Sequence, residues 1–526
     1  MMETNAGWVT AVRIAPPSLK DNTADADRLI NELKIRLDAD FIDVDLTLLK
    51  RLPRLLRDSG YVVRCLCFND QGRFRLVGVK TADERPAFFG MAVDLGTTRV
   101  VLRLINLETL DAIYETAFDN PQVAIGPDIL ARIHFASTDE GLQTIQRLIV
   151  DGLNEHIHRV CERSGIQATD IHLLAVSGNT SMAHLFLALP PHHIIREPYI
   201  PAVNVLGTVP AKEIGIHSSD SARVYIFPNV GSYFGGDLIS GILYSGMHRK
   251  AEISILVDVG TNAEVVLGNQ DWLVACAGAA GPALEGGVSK IGTTAGPGVI
   301  DRVVIDPEDR RILLHTIDEL PPKGICGSGM IDMMAQLFLS GMVDIRGRLA
   351  PENCGDRLRE EDGIRRIALA SADESATGQA LSISQVDIDS LIRSKAAMYT
   401  ILSTITRYVG VTFDDLSRFY VAGTFGSFIN PRSAITIGMI PDLPETTYQT
   451  LGNSSLGGAA LILTQRAALE EVAGIRDRIT YLELNVNQEF MNRFSAAKFL
   501  PHTNPSLFPS VRIPKYSKRN IYCSYS

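Results

Sequence analysis

The sequence predicts an α/β protein with a duplicated core behind a small α/β module. Three observations carry that expectation. The stretch Met91-Ala92-Val93-Asp94-Leu95-Gly96-Thr97-Thr98 returns, nearly unchanged, as Ile255-Leu256-Val257-Asp258-Val259-Gly260-Thr261-Asn262. Each copy is followed by a second strand-like run, Val100 to Ile105 and Glu264 to Leu267, so each reads as strand, tight glycine turn, strand. A third glycine turn, Gly423-Thr424-Phe425-Gly426, follows the apolar run Phe419 to Ala422.

The bulk properties narrow the function classes. A chain of 526 residues has room for several domains. Its apolar fraction of 46% and charged fraction of 21% are those of ordinary globular protein. The net charge of −10 argues against a nucleic-acid binder, which needs a basic face, and gives no encouragement to an anionic membrane surface. No apolar run reaches membrane-spanning length, and residues 1–12 lack the basic and apolar regions of a signal peptide. These features predict a cytoplasmic protein. The seven cysteines are too sparse for a disulfide framework and show no four-cysteine iron–sulfur spacing. Cys65 and Cys67, the one close pair, read as reduced thiols in a strand ahead of metal ligands.

Taken in order, residues 1–87 form the first module. Trp8 to Ile14 alternates like a strand, and Pro16-Pro17-Ser18-Leu19-Lys20-Asp21 is a turn. Asp25 to Leu37 has helical spacing, and Leu46 to Leu56 is a second helix weakened by Pro53. Tyr61 to Phe68 and Phe74 to Val79 are strands around the hairpin turn Asn69-Asp70-Gln71-Gly72.

Residues 88–250 make the first half of the core. Beyond the first hairpin, Gly126 to Ile133 enters a helix. The buried strand Leu173 to Val176 runs into Ser177-Gly178-Asn179-Thr180, a polar turn opening a helix whose N–H groups suit an anion. His184 on that helix reads as a packing residue. Pro228 to Asp237 is glycine-rich and is either a cleft rim or simply a tight loop.

Residues 251–470 make the second half. After the Asp258 hairpin comes a run of small residues, Ala277 to Gly287, in which Gly281 allows close backbone approach and Glu285 is an isolated carboxylate. Gly327-Ser328-Gly329 opens an apolar helix and suits a phosphate or nucleotide. Cys326 beside it reads as a buried thiol. Ser384-Gln385-Val386-Asp387 is a capping box ahead of a helix with an apolar face. Residues 471–526 form a C-terminal extension with a strand at Ile479 to Leu484, a short helix and a basic, polar end.

The two hairpins have a chemistry that follows from their atoms. Glycine lets backbone N–H groups close on a phosphate with no β-carbon in the way, and threonine hydroxyls add donors. A carboxylate at the strand end can hold Mg²⁺, which prefers carboxylate, water and phosphate oxygens. Gly96, Thr97, Thr98, Gly260, Thr261 and Asn262 are therefore the candidate phosphate-holding residues. Asp94 and Asp258 are candidates for Mg²⁺ and for organising the attacking water, with Glu264 a further catalytic candidate. Gly423, Thr424 and Gly426 would let an adenosine lie against backbone.

This order of motifs resembles the superfamily of actin, sugar kinases and heat-shock chaperones. Within it the chain resembles the reductive activators of corrinoid proteins, through Pro16-Pro17-Ser18-Leu19, both hairpins, Ser177-Gly178-Asn179-Thr180, Ala280-Gly281-Pro282-Ala283, Gly324 to Gly329, Ala422 to Gly426 and Phe499-Leu500-Pro501-His502-Thr503. The resemblance implies a duplicated actin-like (ribonuclease H-like) ATPase core, with residues 1–87 as a small domain of the family's middle type. It implies ATP and Mg²⁺ as cofactors, a homodimer, and a corrinoid protein of a methyltransferase system as partner, reduced from Co(II) to Co(I). Such proteins usually carry an iron–sulfur domain, and no iron–sulfur cluster is evident in this chain. A separate ferredoxin-like donor supplies the electrons, or the domain lies outside this chain, or the protein has another task. Arg99, a cation after the first turn, contacts phosphate or lies on a strand edge. Two other readings stand beside the activator: a small-molecule kinase of the same superfamily, and a nucleotide-gated binding or scaffold protein without redox activity.

Overall fold

The computed structural model describes residues 7–260, 262–279, 289–306, 308–423, 430–483 and 488–514. The chain divides into two compact units. The first is Met1–Gly246 with Ser454–Arg478, and the second is Met247–Asn453 with Ile479–Ser526.

The first unit opens with a four-stranded sheet of Val9–Arg13 (β1), Ile42–Val44 (β2), Val62–Asp70 (β3) and Arg73–Thr81 (β4), ordered β1-β3-β4-β2. Its core is closed by Leu29 and Leu33 of the helix Asp25–Leu37 and by Leu52 and Leu56. The β3–β4 turn is tight because Gln71 and Gly72 both have positive φ, 55° and 86°. The helix expected over Leu46 to Leu56 is split into Leu46–Leu49 and Leu52–Asp58. Pro53 explains the break, because it has no N–H to give and stands at the start of the second piece. Cys65 and Cys67 are buried on β3, and burial pushes the Cys67 thiol up to about 12, so both are protonated core thiols.

Next come Phe89–Leu95 (β5), Arg99–Asn106 (β6), Ala112–Asp119 (β7), Ile171–Ser177 (β8), Gly207–Pro210 (β9) and Arg223–Ile226 (β10), in the order β7-β6-β5-β8-β10-β9. The strands β5 to β7 form an antiparallel meander, while β8 joins β5 and β10 joins β8 in parallel. The helix Asp139–Ser164 lays Ile145, Ile149, Leu153 and Ile157 into the same core as Val93, Leu102 and Val176. Thr138 caps its start, and Gly165, at φ 67°, ends it.

The second unit repeats this plan. Ser254–Val259 (β11), Asn262–Gly268 (β12) and Leu273–Ala279 (β13) form the meander. Two three-stranded sheets follow, one of Val299–Ile305 (β14), Ile312–Thr316 (β15) and Gly324–Ile325 (β16), the other of Leu358–Glu361 (β17), Ile364–Ala370 (β18) and Leu381–Ser384 (β19). Arg418–Ala422 (β20) joins β11 and Tyr448–Gly452 (β21) joins β20, both in parallel, and Ile479–Tyr481 (β22) joins β13. The order β13-β12-β11-β20-β21 thus matches β7-β6-β5-β8-β10 position for position. The capping box forms as expected, with Ser384 Oγ accepting from Asp387 N and Asp387 Oδ2 accepting from Ser384 N. The helix it opens, Gln385–Tyr408, packs Leu391, Met398 and Leu402 with Ile255, Val257 and Val265.

The boundary expected at residue 470 is drawn differently by the structure. The helices Ser454–Thr464 and Ala468–Arg478 belong to the first unit, whereas Ile479–Tyr481 pairs in the second unit's sheet. Close packing is the reason. A β-carbon on Gly458 would lie 2.3 Å from Ser240 O, and one on Gly457 would lie 2.6 Å from the Tyr244 ring, so only glycine permits this approach to the helix Gly236–Ser245. Trp8 Nε1 donates to Ile462 O at 2.7 Å, and Arg466 Nε donates to Gly7 O at 2.7 Å.

Candidate functional site

In the first unit, Asp94 is the second-last residue of β5, and the turn that follows is held from three sides. Gly96 is obligatory, because a β-carbon there would lie 2.2 Å from Arg99 O. Asn120, fully buried at the end of β7, donates its Nδ2 to Gly96 O at 2.9 Å and its backbone N to Thr98 O at 2.8 Å. Asn179, which caps the helix Thr180–Phe186 through Met182 N, donates its Nδ2 to Thr97 Oγ1 at 3.0 Å. Gly178 and Gly235 close the remaining space: their β-carbons would lie 2.8 Å from Leu95 O and 2.3 Å from Asn179 Cα.

The Asp94 carboxylate is itself held by a buried row of hydroxyls. Ser455 Oγ donates to Asp94 Oδ1 at 2.7 Å and lies 3.0 Å from Ser177 Oγ, which lies 2.8 Å from Ser240 Oγ. Thr98 and Arg99 are exposed. The glycine-rich stretch ending at Asp237 is part of this assembly, since Thr180 Oγ1 donates to Gly231 O and Asp237 N donates to Gly178 O. His184 is a packing residue: its Nδ1 donates to Thr180 O at 2.7 Å and its Nε2 accepts from Ala202 N at 3.1 Å, and burial lowers its pKa.

In the second unit, Asp258 stands directly opposite Glu264 in the β11–β12 register and beside Ala422 of β20. Gly423, at φ +84°, comes next, and a β-carbon there would lie 2.9 Å from Asp258 Oδ1 and 3.1 Å from Val259 O. The second and third sequence motifs are therefore in contact. The two hairpins differ by one residue: Asp94 pairs with Val101, seven positions on, and Asp258 with Glu264, six on. Arg99 opens β6 and stands opposite Asp119 of β7 in the strand register.

Gly260 ends the second strand's turn and Asn262 opens β12. Thr261, Gly281, Glu285, Thr424 and Gly426 lie outside the described residues. Gly327, Ser328 and Gly329 are buried at the start of the helix Gly327–Leu339. Ser328 Oγ lies 3.1 Å from Cys326 Sγ, and a β-carbon on Gly329 would lie 2.4 Å from Ile300 O. The Gly-Ser-Gly turn serves close packing against β14. A cavity of about 260 Å³ in the first unit, between Asp70, Gly207, Tyr225 and Val472, contains none of the motif residues.

The residues present fit a magnesium nucleotide. Among the described residues no group of three or more His, Cys, Asp or Glu gathers around one point. Mg²⁺ takes one or two protein carboxylates and completes its shell with water and phosphate oxygens, and Asp94 and Asp258 each stand two residues before a turn glycine. At Gly423 a β-carbon would meet the Asp258 carboxylate, so glycine there keeps a side chain away from that carboxylate. Asn120 and Ser455, which hold the turn and the Asp94 carboxylate, were not singled out by motif reading, whereas Asn179 lies in the Ser177-Gly178-Asn179-Thr180 turn that was. Asn120 and Ser455 both lie far from the Gly96 turn in sequence, and only the cap that Asn120 forms before Pro121 left a local signal.

Residues 6–85 match the linker region of the corrinoid-protein activators, residues 89–250 match their middle region, and residues 252–512 match their C-terminal, ASKHA domain. The chain belongs to the family of reductive activators of corrinoid proteins. It is 30% identical over 426 residues to a corrinoid activation enzyme, RamQ, of Eubacterium limosum, covering 78% of this chain and 70% of that one. It is 24% identical over 435 residues to a Co(II) methylated amine-specific corrinoid protein reductase of Methanosarcina barkeri, covering 77% and 75%. The solved structure of a reductive activator for a corrinoid, iron–sulfur protein is 37% identical, with a TM-score of 0.87 over 97% of this chain and 82% of that one. In the family's naming the middle region is residues 89–250, and residues 6–85, given the middle-type name above, are the linker region. No helix among the described residues is long and apolar enough to cross a membrane.

Proposed function

We propose that this member of the family hydrolyses ATP to drive reduction of a corrinoid protein from Co(II) to Co(I), with electrons from a separate ferredoxin-like donor. The observation that carries the reading is the match of all three family regions along the chain, over a core that holds both carboxylate hairpins. Asp94 and Asp258 hold Mg²⁺, directly or through water, and Mg²⁺ supplies charge neutralisation at the phosphates. Gly96, Thr97, Thr98, Gly260, Thr261 and Asn262 hold phosphate oxygens. Asp94 and Asp258 also organise the attacking water, with Glu264, opposite Asp258, a further catalytic candidate, and Gly423, Thr424 and Gly426 receive the adenosine. Reduction of a Co(II) corrinoid is uphill for cellular donors, so nucleotide must favour a state that binds the partner differently. The working form is a cytoplasmic homodimer in a methyltransferase system.

The test is Mg-ATP turnover with and without a Co(II) corrinoid protein from the same organism. The activator reading expects clear stimulation. Turnover raised instead by a sugar or an acid, and indifferent to corrinoid protein, would mark a kinase. Nucleotide binding without turnover would mark a gated scaffold.

A further inference from the structure

The hydroxyl row on Asp94 joins parts of the chain that sequence keeps far apart. Ser455 is the second residue of the helix Ser454–Thr464, just after the chain leaves the second unit at Asn453. Ser240 lies on the helix Gly236–Ser245, just before the chain leaves the first unit at Gly246. The later crossing helix reaches the Asp94 carboxylate directly through Ser455, and the earlier one reaches it through Ser240, Ser177 at the end of β8, and Ser455 in turn. Ser177 and Ser240 have no exposed surface, and Ser455 has 6%.

A hydroxyl carries one proton, so each member of the row must choose an acceptor. Ser455 has two acceptors, Asp94 Oδ1 at 2.7 Å and Ser177 Oγ at 3.0 Å, and gives its proton to one of them at a time. Ser240 has two acceptors at 2.8 Å, Ser177 Oγ and the Asp237 carbonyl. When Ser455 points to Asp94, the carboxylate keeps this donor and Ser177 pairs with Ser240. When Ser455 points to Ser177 instead, the carboxylate loses this donor, Ser177 donates to Ser240, and the Ser240 proton goes to Asp237 O. The carboxylate and the two helices are thus linked through a row with two proton arrangements.

We propose that Ser455 is a positioning residue for Asp94, and that the row Ser455–Ser177–Ser240 couples the state of that carboxylate to the two crossing helices. The proposal rests on the nucleotide reading of the hairpin. Ser454 supplies the control: it neighbours Ser455 on the same helix, is equally buried, and its hydroxyl has no partner.

The experiment compares the full-length chain with its Ser455→Ala, Ser177→Ala and Ser454→Ala variants. Melting first establishes that each is folded. Two quantities are then read: the KM and kcat of Mg-ATP hydrolysis, and the protection that ATP gives to amide exchange in the helix Gly236–Ser245. Ser455→Ala is expected to lower kcat about tenfold, the scale of one hydrogen bond to a charged group, with KM little changed. It is also expected to lose the ATP-dependent protection. Ser177→Ala, which leaves the Ser455–Asp94 bond in place, should keep kcat closer to wild type but lose the protection. Ser454→Ala should match wild type in both. If Ser455→Ala matches Ser454→Ala, the proposal is overturned, and Ser177→Ala decides in the same way should Ser455→Ala fail to fold. If wild type binds ATP without hydrolysing it, the ATPase reading fails, and the exchange measurement alone decides the coupling. If wild type does not bind ATP, both fall.

Discussion

Gly423 rests against the carboxylate of Asp258, close enough that a β-carbon would lie 2.9 Å from Oδ1. Its φ of +84° also places it where residues with side chains are strained. Gly423→Ala therefore faces two penalties at once, backbone strain of about 1–2 kcal/mol and displacement of Asp258. Nucleotide affinity measured by calorimetry should fall at least tenfold in a protein that still folds. Unchanged affinity would separate Gly423 from the site.

Asp258→Asn keeps the shape of the side chain and removes its charge. Hydrolysis should fall by roughly two orders of magnitude or more, the scale seen when one preorganised charge-stabilising group is removed. Single-turnover rates at saturating Mg-ATP read this directly. A variant within threefold of wild type would show that Asp258 does not serve the chemistry.

Gly96→Ala would press a β-carbon to 2.2 Å from Arg99 O, a contact with backbone that cannot rotate away. The expected cost is about 1–3 kcal/mol of stability, as for other overpacked sites. Thr98→Ala, at an exposed position of the same turn, should change stability little. Urea unfolding of both variants distinguishes a packed hairpin from a tolerant one.

His172 gives the fold a defined acid sensitivity. It is more than nine-tenths buried, sits 5.0 Å from Phe88 edge to face, and neither ring nitrogen has a partner. Burial, aided by the nearby Lys80 charge, pushes its pKa down to about 3. The unfolded chain accepts a proton near pH 6.5 while the folded chain refuses it. Stability from this residue is thus complete above about pH 6.5 and is lost as pH falls from there toward 3. His172→Phe should lose less stability than wild type between pH 7.5 and 5, read from urea midpoints. Equal losses would contradict the assignment.

Lys395 anchors the stretch Phe499 to Thr503. Its fully buried Nζ donates to Phe499 O at 2.5 Å and to Pro501 O at 2.7 Å. Lys395→Met should cost about 1–3 kcal/mol by leaving buried carbonyls unpaired. Limited proteolysis should then release the C-terminal segment earlier than in wild type.

Much of this architecture was legible because its signals are local. The doubled strand-Asp-x-Gly phrase, the Gln71-Gly72 turn and the Ser384 capping box each occupy a few consecutive residues, and each stands in the structure where it was expected. What stayed hidden depends on partners distant in sequence. Ser455 reaches Asp94 across 361 positions, and no local pattern marks it. The helices at 454–478 return to the first unit through Gly457 and Gly458, which in sequence look only like poor helix formers. The one-residue difference between the hairpins escaped notice because their sequences align without a gap, whereas register is set by the pairing of whole strands.

The most direct measurement of the central claim follows the cobalt. The purified chain would be mixed with a Co(II) corrinoid protein from the same organism, a reduced ferredoxin and Mg-ATP, and the Co(II) paramagnetic signal monitored. The account predicts that the signal disappears as Co(I) forms, only when ATP and this chain are both present, and that Asp258→Asn fails to support the loss. A signal that decays equally without ATP, or that persists while this chain hydrolyses ATP, would contradict it.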